Sequence, residues 1–283
     1  MKIFFLSIVS FFVRILPTWV KTDLYRLGPI SEVIRKFLNQ ISPNGLTTVA
    51  IASGGLQGMQ MRLDMQSEKD YWLGTYETDL QSVIQEHVQP GWIAYDVGAN
   101  IGYISLLFAR AVADHGSVFA FEALPSNVDR LRENIILNRL SNRVTVVPGA
   151  VLDISKPVTF LIGPSSAMGK VSGSSGRSEY SPESIEVPGI TLDDFVFRDG
   201  NPIPQVIKMD IEGGEVLALR GMTRLLTNAH PLLFLEIHGP EAAHLAWCEL
   251  TKAGYRICEM NPGLPPVLSL DALHWKAYLV ALP

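Results

Sequence analysis

Tyr95-Asp96-Val97-Gly98-Ala99-Asn100-Ile101-Gly102-Tyr103 closes an apolar run that begins at Trp92 and opens directly onto Ile104, Leu107, Phe108 and Ala111, which share one helical face. The hydrophobic period changes from two to 3.6 across this turn, which is the signature of a strand running into a helix. Glycine at both ends of the turn permits unusual backbone angles and lets a ligand touch main-chain N–H groups at the helix start. The stretch therefore predicts one βα unit whose turn is built for a ligand.

The same alternation continues in both directions. Downstream, Ser117–Phe121, Val144–Val147, Val206–Met209 and Leu232–Leu235 read as strands, and Ser126–Leu137 is a helix with Val128, Leu131 and Ile135 on one stripe. Tyr255–Cys258 and Ala277–Leu282, separated by a Pro-rich loop, read as a closing antiparallel pair. The sum is an α/β fold, a mostly parallel seven-stranded sheet with helices on both faces. Upstream, Thr78–Val88 is a helix ended by Pro90-Gly91, Leu46–Met65 with Gly54-Gly55 is a hairpin, and Ser31–Asn39 is a short amphipathic helix. We divide the chain into a hydrophobic N-terminal helix (1–21), a small helical and hairpin cap (22–74) and a main domain (75–283). Gly163–Pro182, dense in Gly and Ser around Met168 and Lys170, is either a surface loop or a lid over substrate.

Composition narrows the function. The 283 residues carry 23 basic and 28 acidic side chains, a net charge of −5, so no global positive field exists to hold nucleic acid. Cys248 and Cys258 are too few for a disulfide framework, and six scattered histidines suggest no metal centre. Both cysteines are expected to pack as small apolar residues, and a cytoplasmic setting is expected. The apolar stretch Ile3–Val13 is about half of the roughly 20 residues that span a bilayer. Three readings stay open for residues 1–21: an interfacial helix on the inner face of a membrane, a helix packed on its own domain, or a secretory signal.

Glu122 lies 20 residues past Gly102 at the end of the second strand. Doubly wound folds place there the carboxylate that binds both ribose hydroxyls, so turn and acid together predict an adenosine-type cofactor. Dinucleotide turns need a glycine where Asn100 stands, and Asp96 at the mouth of the turn would repel a diphosphate. A ligand with a cationic amino-acid end suits it better, and S-adenosylmethionine has one. The cofactor contacts expected are Asp96, Gly98, Asn100, Gly102, Glu122 and Asp210, with a helix cap as the other reading of Asp96.

Three runs, Tyr95–Tyr103, Phe121–Asn127 and Ile207-Lys208-Met209-Asp210-Ile211-Glu212-Gly213-Gly214-Glu215, together resemble the FkbM family of S-adenosylmethionine-dependent methyltransferases. The likeness spans roughly Gly74 to Pro262 and includes Leu219-Arg220-Gly221 and Leu235-Glu236-Ile237-His238. It implies a class I methyltransferase sheet and methylation of a hydroxyl on a sugar or natural product. In this family the stretch Tyr71–Glu77 often sits over the cofactor; a cap on the core is the alternative. Ala123 and Gly214 depart from residues common among relatives, without disturbing the cofactor reading.

Asp210, Glu212 and Glu215 follow the fourth strand at the carboxyl edge where open sheets bind ligands. Glu212 and Glu215 could instead complement the next helix dipole. An alcohol is a poor nucleophile until its proton is removed, so a general base is expected among Asp210, Glu212 and His238. His238 and Asp210 are preferred, with Lys208 facing away in its strand. A metal bridging Asp210, Glu236 and His238 is not expected. Asp193-Asp194 is expected to cap a short helix. The expected function is O-methylation of a glycan, lipid-linked sugar or secondary metabolite. The alternatives are a nucleotide-sugar or NAD-dependent Rossmann enzyme and a non-catalytic S-adenosylmethionine-binding scaffold.

Overall fold

In the computed structural model, residues 42–163, 169–172, 183–270, 273 and 276–283 are described. The expected helices at 1–21 and 31–39 and most of the 163–182 segment, Met168 included, lie outside them.

The hairpin forms as β1 (Leu46–Ala50) against β2 (Gln60–Asp64), antiparallel in the register Leu46 to Asp64. After α1 (Lys69–Leu73) and α2 (Thr78–His87) the alternation begins with β3 (Ile93–Val97), α3 (Tyr103–Ala111), β4 (Ser117–Glu122), α4 (Pro125–Leu137) and β5 (Val144–Pro148). Four strands follow that the sequence reading did not anticipate, β6 (Ala150–Val151), β7 (Pro157–Ile162), β8 (Gly169–Val171) and β9 (Ser184–Ile190). They form their own sheet in the order β6-β9-β7-β8. Pro157, Pro188 and Gly189 punctuate these strands, and such breakers hide alternation on edge strands. The chain then runs through β10 (Val206–Met209), α5 (Glu215–Arg220), β11 (Leu232–His238), α6 (Pro240–Lys252), β12 (Arg256–Glu259) and β13 (Lys276–Leu282).

The central sheet has seven strands in the order β12-β13-β11-β10-β3-β4-β5. Its β11-β10-β3-β4-β5 run is parallel and β13 is antiparallel to both neighbours. This is the class I methyltransferase sheet. Period-two alternation divides its side chains between two cores. Ala94, Val118, Val206, Phe234 and Val280 pack with α2, α3 and the hairpin residues Ile51, Met61 and Leu63. Tyr95, Val97, Ile207, Met209 and Leu235 pack on the other face with α5 and α6. The hairpin is also tied to α4, where Asn134 Oδ1 accepts the Arg62 N–H at 2.7 Å.

Two local expectations are corrected. Thr191 Oγ1, not an aspartate, caps the turn Asp194–Arg198 by accepting the Asp194 N–H, while Asp193 reaches across to the N–H groups of Arg224 and Leu225. Cys258 is buried as expected, but Cys248 is exposed, because it falls on the outer face of α6. Among the described residues no helix is long and apolar enough to cross a membrane.

Candidate active site

β3 is where the sheet changes direction, since the chain passes from it to β4 on one side and later returns to β10 on the other. Open sheets bind ligands outside the carboxyl ends of such strands. A cleft of about 670 Å³ lies there, walled by Gly98, Asn100, Glu122, Asn127, Asp210 and Glu212. Tyr71, Tyr76 and Glu77 wall it from in front of α2, and Phe160, Gly169 and Val171 from the small sheet.

The glycine turn is held tightly. Gly98 and Ala99 both donate N–H to Phe121 O, at 3.0 and 2.9 Å, and Asp210 N–H donates to Val97 O. Gly98 has φ +79°, and a Cβ there would stand 1.9 Å from Asp210 O, so only glycine fits between β3 and β10. Asn100 is also left-handed, φ +49°, and donates its N–H to Glu122 Oε2 at 2.8 Å. Glu122 Oε1 accepts Leu124 N–H at 2.8 Å. Burial raises the Glu122 pKa and these amides pull against it. Next to it, Asn127 Oδ1 is buried and without a hydrogen-bond partner among the described residues. Gly102 does not wall the cleft; it packs behind the turn, where a Cβ would meet Leu131 at 2.5 Å.

Asp96, Lys208, Glu236 and His238 fall on the same face of the sheet, because Lys208 pairs in register with Asp96 and Glu236 and His238 keep that parity. The result is a row of charges beneath the cleft floor. Asp96 is fully buried and does not wall the cleft; its Oδ2 accepts the Ser105 hydroxyl at 2.6 Å. Lys208 does not face away as expected. Its Nζ lies 3.6 Å from Asp96 Oδ1 and 3.8 Å from Asp210 Oδ2 and donates to Gly98 O at 3.1 Å. Burial opposes its charge, but Asp96 and Asp210 outweigh burial and raise its pKa. Asp210, at the cleft wall, is pushed up to about 7 by burial, against the pull of Lys208 and with help from Glu236 and Glu77.

His238 is 1% exposed and surrounded by acids. Nε2 donates to Glu236 Oε1 at 2.9 Å with Glu212 Oε2 at 3.8 Å, and Nδ1 meets Glu215 Oε1 at 3.1 Å. Burial works against the imidazolium, but hydrogen bonds to Glu215 and Glu236 raise its pKa to about 10. Both ring nitrogens are held by carboxylates and the ring does not wall the cleft, which favours Asp210 over His238 among the expected base candidates. Glu215 stands in the first turn of α5, where it was expected to complement the helix dipole, and its Oε1 also accepts Gly213 and Ile211 N–H. It thereby holds the loop in which Glu212 takes φ +52° and faces the cleft.

Two charged wall residues were not singled out by the sequence reading, although Glu77 belongs to the stretch Tyr71–Glu77 that the family resemblance sets over the cofactor. Glu77, in the left-handed conformation at φ +45°, brings its carboxylate to Asp210 and Glu236, all within 4.8 Å of one another. Lys276 pairs with Glu236 from β13. The signal for Glu77 was its place in the aromatic stretch, whose Tyr71 and Tyr76 rings cluster with Tyr103 of α3 at 4.4 to 5.5 Å. Lys208 pairs with Asp210, and Lys276 and the His238 ring with Glu236, so cations answer part of the charge of this acid group.

Comparison with known proteins adds the following. Residues 96–257 match the family model of the methyltransferase FkbM domain. The hexuronic acid methyltransferase AglP of Haloferax volcanii is 30% identical over 187 residues, covering 65% of this chain and 72% of that protein. The ribosomal protein L11 methyltransferase of Geobacillus kaustophilus is 29% identical over 106 residues, 36% of this chain and 33% of that protein. The solved FkbM methyltransferase of Methylobacillus flagellatus KT aligns with a TM-score of 0.44 at 15% identity, over 93% of this chain and 60% of that one.

Proposed function

The chain belongs to the FkbM methyltransferase family, and from that premise we propose that it methylates a hydroxyl oxygen of a glycan or lipid-linked sugar, with S-adenosylmethionine as donor. The observation that carries this reading is the convergence of Gly98, Asn100, Glu122 and Asp210 on one cleft at the sheet's switch point. The named activity of the Haloferax volcanii relative supports a sugar acceptor.

The residues fit the cofactor. Glu122 keeps carboxylate lone pairs beyond the two amides that orient it, and the unpartnered Asn127 Oδ1 beside it is an acceptor that a ribose hydroxyl or adenine amine would satisfy. Gly98 and Asn100 would hold the ligand by backbone, and Asp210 would face its cationic end. Asp96 acts from behind the wall through Lys208. When bound, S-adenosylmethionine supplies an electrophilic methyl group.

This chain's residues do the rest. Asp210, poised near pH 7, takes the proton of the acceptor hydroxyl. The His238 imidazolium holds Glu236 in place and faces Glu212, and Glu212 and Glu77 line the acceptor side. Methyl transfer is an in-line displacement, so this fixed geometry contributes directly to rate. The apolar segment 1–21 would bring the enzyme to the inner face of a membrane, where a lipid-linked acceptor resides.

Calorimetry with S-adenosylhomocysteine, NAD and UDP-glucose tests the cofactor. Binding of S-adenosylhomocysteine alone is expected; binding of NAD or UDP-glucose in its place would overturn the reading. Transfer of labelled methyl from S-adenosylmethionine to a panel of neutral and acidic glycosides then identifies the acceptor.

A further inference from the structure

We propose that Lys208 is a positioning residue, a buried ammonium that ties the glycine turn to the end of β10 and sets the direction and charge of the Asp210 carboxylate. The inference rests on the reading of Asp210 as the group facing donor and acceptor.

Three contacts converge on one atom. Nζ donates to Gly98 O at 3.1 Å and lies 3.6 Å from Asp96 Oδ1 and 3.8 Å from Asp210 Oδ2. Two of the partners come from β3 and its turn and one from the residue following β10, so a single side chain spans the switch point. Asp96 Oδ1 is fully buried and has no hydrogen-bond donor among the described residues, so its charge is answered by this ammonium. An uncompensated buried carboxylate would be costly, which makes Asp96 the counter-ion that keeps Lys208 charged and in place. The carboxylate that remains free to act is Asp210, because it stands at the cleft wall while Asp96 does not.

Lys208 has a definite electrostatic task there. Asp210 is faced by Tyr76 and Glu77 ahead of α2, by Glu236 and His238 from β11, and by Glu215 of the helix that follows it, while Lys276 of β13 pairs with Glu236 and Glu212 with His238. The acids among these oppose ionisation of Asp210. Lys208 and His238 favour it, and of those two Lys208 exerts the larger pull. Asp96 and Asp210 thus share one cation, and a change at either side moves the other.

This sharing makes opposite predictions for two variants. Carbon-13 NMR of the full chain labelled at the aspartate carboxyl carbons, assigned with Asp210→Asn, reads the titration of Asp210 without any ligand. Lys208→Met should move its midpoint upward, on the order of one to three units, as loss of a neighbouring opposite charge requires. Asp96→Asn, which keeps an oxygen for Ser105, should move it downward, because the ammonium is then left to Asp210. An unmoved midpoint in Lys208→Met overturns the proposal. If that variant does not fold, Asp96→Asn decides alone: a downward shift supports the proposal and an unchanged or upward one overturns it. Binding of S-adenosylhomocysteine, measured separately on the wild type, tests the cofactor reading and leaves the titration result intact.

Discussion

His238 Nδ1 and Glu215 Oε1 stand 3.1 Å apart, with both side chains sealed from solvent at 1% and 0% exposure. A strand end and the first turn of the helix after the neighbouring strand are joined by this pair. Because the ring also meets Glu236 and Glu212, it functions as a fixed cation in an acidic floor.

Its charge makes stability depend on pH. The folded pKa of His238, about 10, lies above its ordinary 6.5, so the contribution is fully present below pH 6.5 and is lost as pH rises through about 10. The thermal midpoint should fall across that window, and the alkaline fall should be smaller in His238→Gln. The contribution lost is on the order of a few kcal/mol. Equal alkaline slopes in both proteins would contradict the imidazolium assignment.

Asp210→Asn removes the proposed base. Methyl transfer should drop by about 10²–10⁴-fold, the usual contribution of general-base catalysis, with a smaller change in S-adenosylhomocysteine affinity. In the wild type the rate should rise with pH through about 7, as the Asp210 carboxyl ionises. A rate profile flat from pH 6 to 8 would place the base elsewhere.

Glu122→Ala should weaken S-adenosylhomocysteine by about 1.5–3 kcal/mol, the worth of hydrogen bonds to a charged group. It also strips the Asn100 and Leu124 amides of their acceptor, so some loss of thermal stability should accompany it. Calorimetry and a melting curve separate the two effects, and unchanged affinity would refute the ribose role.

Gly98→Ala should be far more damaging than Gly91→Ala. Both residues have positive φ, +79° and +85°, but the new Cβ meets Asp210 O at 1.9 Å in the first case and nothing within 4 Å in the second. Strain alone costs about 1–2 kcal/mol, whereas the clash must also separate β3 from β10. Equal melting temperatures for the two variants would show that the turn can yield.

Deletion of residues 1–21 should move the protein from the membrane fraction to the supernatant on cell fractionation. An unchanged distribution would end the proposed membrane contact, without touching the reading of the cleft.

The sheet was legible because its inner strands β3, β10 and β11 are buried along nearly their whole length and all its strands are separated by turns. Six of the seven expected central strands match to within one residue at each end, from Ile93–Val97 to Lys276–Leu282, while β11 runs three residues further, to His238. The small sheet was not legible, since its strands are interrupted by Pro and Gly and take their partners from distant sequence, as Val158 does with Val187. Glu77 was equally hidden, because nothing local in Tyr76-Glu77-Thr78 indicates that the chain brings it to Asp210.

By itself the sequence determined the α/β alternation, the glycine turn and the carboxylate after the second strand, because each depends on local periodicity or on spacing along one βα unit. Only the tertiary structure decided what the charged residues do. Asp96 is withdrawn from the cleft, Lys208 is drawn toward it, and His238 is held between carboxylates that raise its pKa. Protonation and direction follow from neighbours on other strands and from burial, and those are set by sheet order and register, which no single segment of the chain contains.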